Sequence, residues 1–158
     1  MPPLEAAEFR AAMAQIPAGV TVVAANGPDG PAGATASAVA SLSLEPMLML
    51  ACLDRGSRTL LAVQSANRFG VNVLAGDQEE VARTFSTKAP VADKWAGIEW
   101  EDRGGVPALH GCVLWVACDL HDLIGGGDHV IITGAVTAFE LRDAPPLIHH
   151  RGRYVALE

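Results

Sequence analysis

Three stretches of this chain carry residue types suited to holding a flat, polar, anionic ligand. Thr35 to Pro46 (TASAVASLSLEP) is small and hydroxyl-rich. Small side chains let a planar group approach the backbone, and hydroxyls such as those of Thr35, Ser37 and Ser41 can satisfy its polar edge. On composition alone an ordinary Ser/Thr-rich edge or turn is the plainer reading. Arg55 to Thr59 (RGSRT) sets two hydroxyls, Ser57 and Thr59, around Arg58 at a helix start. Helix-start N–H groups, hydroxyls and a guanidinium form a small anion site, and the same groups form a helix cap, so the two readings are compatible. The third stretch is Gly127-Asp128-His129, entering an apolar strand. An imidazole there can touch an amide or phosphate, or lend positive character to a group gaining electrons; a structural histidine is the plainer alternative.

Other chemistries are disfavoured. No GxGxxG follows a first strand and no GxxxxGK[ST] occurs. GGGDH at 125–129 precedes a strand, so it lacks the helix N-terminus of a phosphate cradle. His149-His150 has no Asp or Cys at ligand spacing, and no metal is expected. His121 reads as structural. Cys52, Cys112 and Cys118 lie in strand-like apolar runs without a CxxC, which suggests buried, reduced thiols in a cytoplasmic protein. Neither Cys112 nor Cys118 has the basic neighbour or helix start that a nucleophile wants.

The elements that position these residues are mostly strands. Phe9, Met13 and Ile16 predict a helix over Leu4 to Ile16, stopped by Pro17 and Gly19. Gly19 to Ala25 reads as a strand, NGPDGPAG as a turn cluster and Met47 to Leu53 as a buried strand. Ser57 caps a helix to Asn67, and Arg68 to Leu74 is a strand. Asp77 with Glu80 suggests a capping box for the next helix. Thr87 to Gly105 reads as a long loop with Trp95 and Trp100, followed by strands over Val113 to Leu123, Val130 to Leu141 and Tyr154 to Leu157. Many strands without βαβ alternation predict a mainly β chain with a few helices, a closed or partly open antiparallel barrel. Asn72, a polar residue in a core-like strand, is expected to organise neighbouring backbone.

At 158 residues, without linker or repeat, the chain fits one domain spanning 1–158. Its net charge of −7 and scattered 11 Lys and Arg disfavour nucleic-acid partners. No apolar run reaches the roughly 18 residues of a membrane helix, and the start, MPPLEAAEFR, does not read as a signal peptide. A mean hydropathy of +0.26 in so small a chain suggests a hidden subunit interface, hence a homodimer.

Taken together, TASAVASLSLEP, RFGVNVL at 68–74, Gly127-Asp128-His129 and PLIHHRGRYVAL at 146–157 resemble the flavin reductase family that supplies reduced flavin to partner monooxygenases. The resemblance runs from about Phe9 to Tyr154 and implies a split β-barrel of the FMN-binding type. It implies FMN or FAD as the flavin and NADH or NADPH as hydride donor. Thr35, Ala36, Ser37 and Ser41 are then ring or ribityl contacts. The strand end Cys52, Leu53 and Asp54 lies along the flavin, with Ser57, Arg58 and Thr59 at its phosphate. Phe85 stacks near the ring or packs in the core. His129 is the catalytic candidate, bordering nicotinamide and flavin. Arg151 meets a nucleotide phosphate, Gly152 admits close backbone approach, Tyr154 packs, and His149 lines the same pocket. The alternative is a protein whose tightly bound FMN reduces another acceptor, or which only stores flavin.

Overall fold

A computed structural model describes all 158 residues. The chain opens with helix α1 (Ala6–Met13) and a short strand β1 (Ala18–Gly19), then hairpin β2 (Thr21–Gly27) and β3 (Gly30–Ala36). Strands β4 (Val39–Leu44) and β5 (Met47–Asp54) form a second hairpin, followed by α2 (Arg58–Ala66) and β6 (Arg68–Val73). Helices α3 (Glu79–Ser86) and α4 (Val91–Trp95) precede a small hairpin, β7 (Trp100–Arg103) and β8 (Val106–Leu109). The long strands β9 (Leu114–Gly126) and β10 (His129–Leu141) and the closing hairpin β11 (Leu147–His150) and β12 (Arg153–Ala156) complete the chain.

Seven strands pair antiparallel in the order β3-β2-β6-β9-β10-β5-β4. The two edge strands, β3 and β4, are joined by only residues 37 and 38 and do not ladder with each other. One core cluster draws Val23, Ala32, Leu53, Phe69, Val116 and Ile132 from β2, β3, β5, β6, β9 and β10. A flat sheet cannot bring both ends to one core, so the sheet curls around it and leaves a seam: a split β-barrel, mainly β with few helices. The approach inside is close. A Cβ on Gly134 would meet Cys118 Cβ and the Phe69 ring at 2.5 Å, so this position of β10 admits no side chain.

A second core cluster lies outside the barrel, where α3, α4 and β11 cover β2 through Val22, Leu74, Phe85, Trp95 and Leu147. Buried Asn72 ties the two regions. Its amide donates to the carbonyls of Val22 (3.2 Å) and Pro107 (3.3 Å) and accepts from the N–H of Leu109 (2.8 Å). That is the backbone-organising role expected of a buried amide.

Several sequence expectations change. The turn cluster after β2 is strand almost throughout, with the reversal confined to Pro28 and Asp29. The 87–105 stretch contains α4 and β7, held by edge-on stacking of Trp95 between Phe85 (4.9 Å) and Trp100 (5.1 Å). Asp77 does not cap α3; Gln78 sits at that position without a side-chain cap. Its side chain instead accepts from the nearby Ala75 N–H (2.9 Å) and donates to the His110 carbonyl (2.8 Å), the latter a bond to distant backbone that no local pattern reveals. Ser57 does cap α2, accepting from Thr59 N–H at 3.1 Å. Helix α1 is shorter than predicted and buries none of its residues. No helix is long and apolar enough to cross a membrane.

Candidate active site

A cavity of about 400 Å³ opens where β3, the end of β5, the start of α2 and the α3–α4 connection meet. Thr35, Asp54, Ser57, Arg58, Thr59 and Phe85, all picked from the sequence, line it. Each arrives by a local rule. The end of β5 turns at Gly56, whose N–H donates to Asp54 Oδ1 at 2.7 Å, and the Ser57 cap then starts α2 with Arg58 exposed at its first position. Thr35 is placed by β3, and its hydroxyl donates to the Ala82 carbonyl of α3 at 2.7 Å, so this hydroxyl is engaged within the protein. Phe85 is buried and belongs to the outer core while also meeting the cavity, which favours the packing role over stacking on a ring.

Small residues shape the wall between strand and aromatics. A Cβ at Gly33 would meet the Phe85 ring at 3.0 Å and Trp95 at 3.2 Å, so a side chain there would push the aromatic pair away from β3. Sequence reasoning missed the far wall: Ser86, Thr87, Lys88 and Lys94 also line the cavity. Ser86, Thr87 and Lys88 form a hydroxyl-lysine run at the end of the predicted helix and the start of the stretch read as loop, and Lys94 lies within that stretch. Burial, and then the nearby Arg58 guanidinium, hold the Lys94 ammonium below its ordinary range.

His129 stands beside this cavity. In the β5–β10 ladder it is the register partner of Asp54, and the Arg55 N–H donates to the Asp128 carbonyl at 3.0 Å. Its ring Nδ1 lies 2.8 Å from Asp128 Oδ1, and that hydrogen bond, with the imidazole's charge, keeps the Asp128 carboxyl below the usual range. The ring is half exposed, with Nε2 left unengaged.

The remaining candidates lie elsewhere. Leu53 and Ala36 are buried in the inner core and Cys52 is half-buried on β5. Ser37 is exposed at the β3–β4 corner, and Ser41 lines a different, apolar groove of about 520 Å³. His149 and Tyr154 face each other across β11–β12, centroids 5.3 Å apart, with Arg83 over the tyrosine ring at 5.0 Å. Arg151 and Gly152 form that hairpin's turn, with φ of 51° and 75°; Gly152 serves the turn's left-handed backbone, and the Arg151 N–H donates to the Ala14 carbonyl at 3.0 Å. Cys112 and Cys118 are pushed up to about 12 by burial, so neither thiol is a nucleophile at neutral pH.

A split barrel with a cation-lined, hydroxyl-rich cavity at one strand end has the donor chemistry that suits an anionic ligand. Residues 13–158 match the family described as flavin reductase like domain, and the chain belongs to that family: it is a flavin reductase, an oxidoreductase. It is 42% identical over 148 residues to a probable flavin reductase of Rhizobium meliloti, covering 92% of this chain and 47% of that protein. The chain thus spans about half the length of this relative. It is 36% identical over 156 residues to the reductase subunit HsaB of a flavin-dependent monooxygenase of Mycobacterium tuberculosis, covering 95% and 81% of the two chains. Among solved structures, the Streptomyces globisporus NADH:FAD oxidoreductase SgcE6 in complex with NAD and FAD fragments superposes with a TM-score of 0.92. That match has 29% identity and covers 100% of this chain and 96% of that one.

Proposed function

We propose that this chain reduces FMN or FAD with NADH or NADPH and supplies the reduced flavin to a partner flavin-dependent monooxygenase. One observation carries the reading: a single cavity gathers Thr35, Asp54, Ser57, Arg58 and Thr59 from separate elements in a member of the flavin reductase family. The donor set fits a flavin, since hydroxyls and a guanidinium suit the phosphate and ribityl chain, and the small Ala34 leaves its part of the cavity wall open to a planar ring. When bound, flavin accepts at N5 the hydride that a reduced nicotinamide gives from C4. The chain's own contribution is orientation. Ser57, Arg58 and Thr59 hold the phosphate, and the Ala34–Thr35 stretch of β3, rather than the buried Ala36 or the corner residue Ser37, backs the ring. His129, its Nδ1 held by Asp128, offers Nε2 to the nicotinamide side. Arg151 and His149, on a separate hairpin, are assigned to the nicotinamide nucleotide rather than to the flavin. No side chain has to move a proton.

The assembly we infer is a homodimer. The apolar groove is lined by Val39, Leu44, Met47, Met49, Phe139 and Leu141, and α1 and the turn after it expose Phe9 and Ile16. An interface covers such surfaces. Three free cysteines support a reducing, cytoplasmic setting.

Steady-state oxidation of NADH and NADPH with FMN, FAD and riboflavin tests the activity. Oxidation that depends on added flavin is expected. No oxidation of either nicotinamide with any flavin overturns the reading.

A further inference from the structure

The tip that carries His129 has little of its own to hold it. From His121 to His129 every residue is exposed, so packing does not fix this stretch. Past Asp119, strand β9 pairs with β10 alone. Gly125, Gly126 and Gly127 lead into the turn, and glycine loses more conformational freedom on ordering than any other residue. Such a segment opens readily unless something outside it holds it. A ring whose contribution is orientation needs a fixed place.

Arg55 supplies the hold. Asp54, Gly56, Ser57, Arg58 and Thr59 all line the cavity; Arg55 alone of this run does not. Its side chain reaches across to the β9–β10 turn instead. Nε donates to the Gly127 carbonyl at 2.6 Å, and the Arg55 backbone N–H donates to the Asp128 carbonyl at 3.0 Å. A Cβ on Gly125 would stand 3.1 Å from Arg55 Nη2, so the guanidinium lies against bare glycine backbone. Arg55 thus meets Gly125, Gly127 and Asp128, the residues that lead into His129. The grip has a firm base, because Gly56 N–H donates to Asp54 Oδ1 at 2.7 Å and Ser57 N–H to the Asp54 carbonyl at 3.0 Å. A charged donor makes the Gly127 bond stronger than a neutral one. After the His129 hydrogen bond and charge, the Arg55 guanidinium is a lesser cause of the lowered Asp128 carboxyl.

We propose that Arg55 is a positioning residue for the nicotinamide side: by tying the Gly125–Asp128 turn to the start of α2, it sets where His129 stands beside the cavity. The proposal rests on the flavin reductase reading above and on the place given there to His129. In this role Arg55 needs no contact with either nucleotide, because it acts through His129. One short run then serves both ligands. Ser57, Arg58 and Thr59 face the cavity, and Arg55 faces the strand that carries the imidazole.

Arg55→Met keeps an unbranched stem and removes the side-chain donors at an exposed position, so the core is untouched. In the ligand-free protein, amide hydrogen exchange over residues 125–129 should quicken roughly tenfold, as loss of a charged hydrogen bond implies, while the amides of β2 and β6 keep their wild-type rates. With FMN and NADH, turnover should fall by about ten- to a hundredfold, with the FMN dissociation constant within about twofold of the wild type. The decisive arm is the double variant. Adding Arg55→Met to His129→Ala should lower turnover by no more than about a further twofold, since the residue through which Arg55 acts is already gone. Losses that multiply overturn the proposal, because Arg55 then works by a route that bypasses His129. Unchanged exchange over 125–129, or unchanged turnover in the single variant, overturns it too. FMN affinity that falls in step with turnover places Arg55 on the flavin side and overturns it as well. A wild type that oxidises neither nicotinamide with any flavin removes the flavin reductase reading itself, and the proposal with it; that outcome needs no variant to be seen.

Discussion

The two largest concavities of this protein flank one sequence segment and differ in what they leave unsatisfied. The cavity beside Thr35 leaves charge: Arg58, Lys88 and Lys94 face it with one carboxylate. The groove beside Ser41 leaves apolar surface: Met47, Phe139 and Leu141 are all more than half exposed there. Charge without a partner calls for a small anion, and a broad apolar face calls for another surface. Thr35 to Leu44 thus serves two regions, since the two-residue corner at Ser37 and Ala38 turns the chain from one side of the barrel seam to the other.

The sharpest way to break this contrast is to put charge in the groove. Phe139→Asp should dissociate the proposed dimer. An unpaired buried carboxylate costs about 3–5 kcal/mol, roughly a hundredfold or more in the dissociation constant. Light scattering checks this; a wild type that is monomeric at micromolar concentration, or a variant that stays dimeric, assigns the groove another role.

A smaller effect is expected at the cavity rim. His129→Ala should lower turnover by about ten- to a hundredfold while changing flavin affinity little, since orientation and not proton transfer is lost. Steady-state kinetics alongside flavin titration separates the two. A variant that loses flavin affinity in proportion to turnover moves His129 from the nicotinamide side to the flavin side.

The smallest effect tests whether the Thr35 hydroxyl belongs to the wall or to the ligand. Thr35→Val removes the bond to the Ala82 carbonyl and should cost about 1 kcal/mol of stability, read as a lower Tm. Flavin affinity should hold. If Tm is unchanged and affinity drops, the hydroxyl leaves Ala82 for the flavin.

Much of the fold was legible because strand signals are local. The β-branched run Thr21 to Val23 and the apolar runs around Ile132 and Leu50 read correctly as strands, because β-branching and short apolar runs act within a few residues, although Val20 falls between β1 and β2. The Ser57 cap was legible for the same reason. The Asp77 cap was not, because Gln78 is held by Ala75 and His110 backbone, the latter more than thirty residues away. Helix α1 shows the opposite failure. It keeps Phe9 and Met13 on its apolar face but ends before Ile16, and all three stay exposed because no surface of the same chain covers them.

The chemistry of the site follows the same division. Sequence alone determined the donor chemistry at the start of α2, since two hydroxyls and Arg58 at a helix start suit an anion wherever the helix points. It also determined that His129 carries Asp128 as its neighbour, because adjacent residues in a turn need no fold to meet. Only tertiary structure decided that His129 stands next to Asp54, that Lys94 and Arg58 line one cavity, and that Ser41 parts company with Thr35. Those placements depend on strand register and on how far the sheet curls. Both are set by the packing of residues far apart in the chain, such as Phe69 against Gly134, rather than by any residue's own preference.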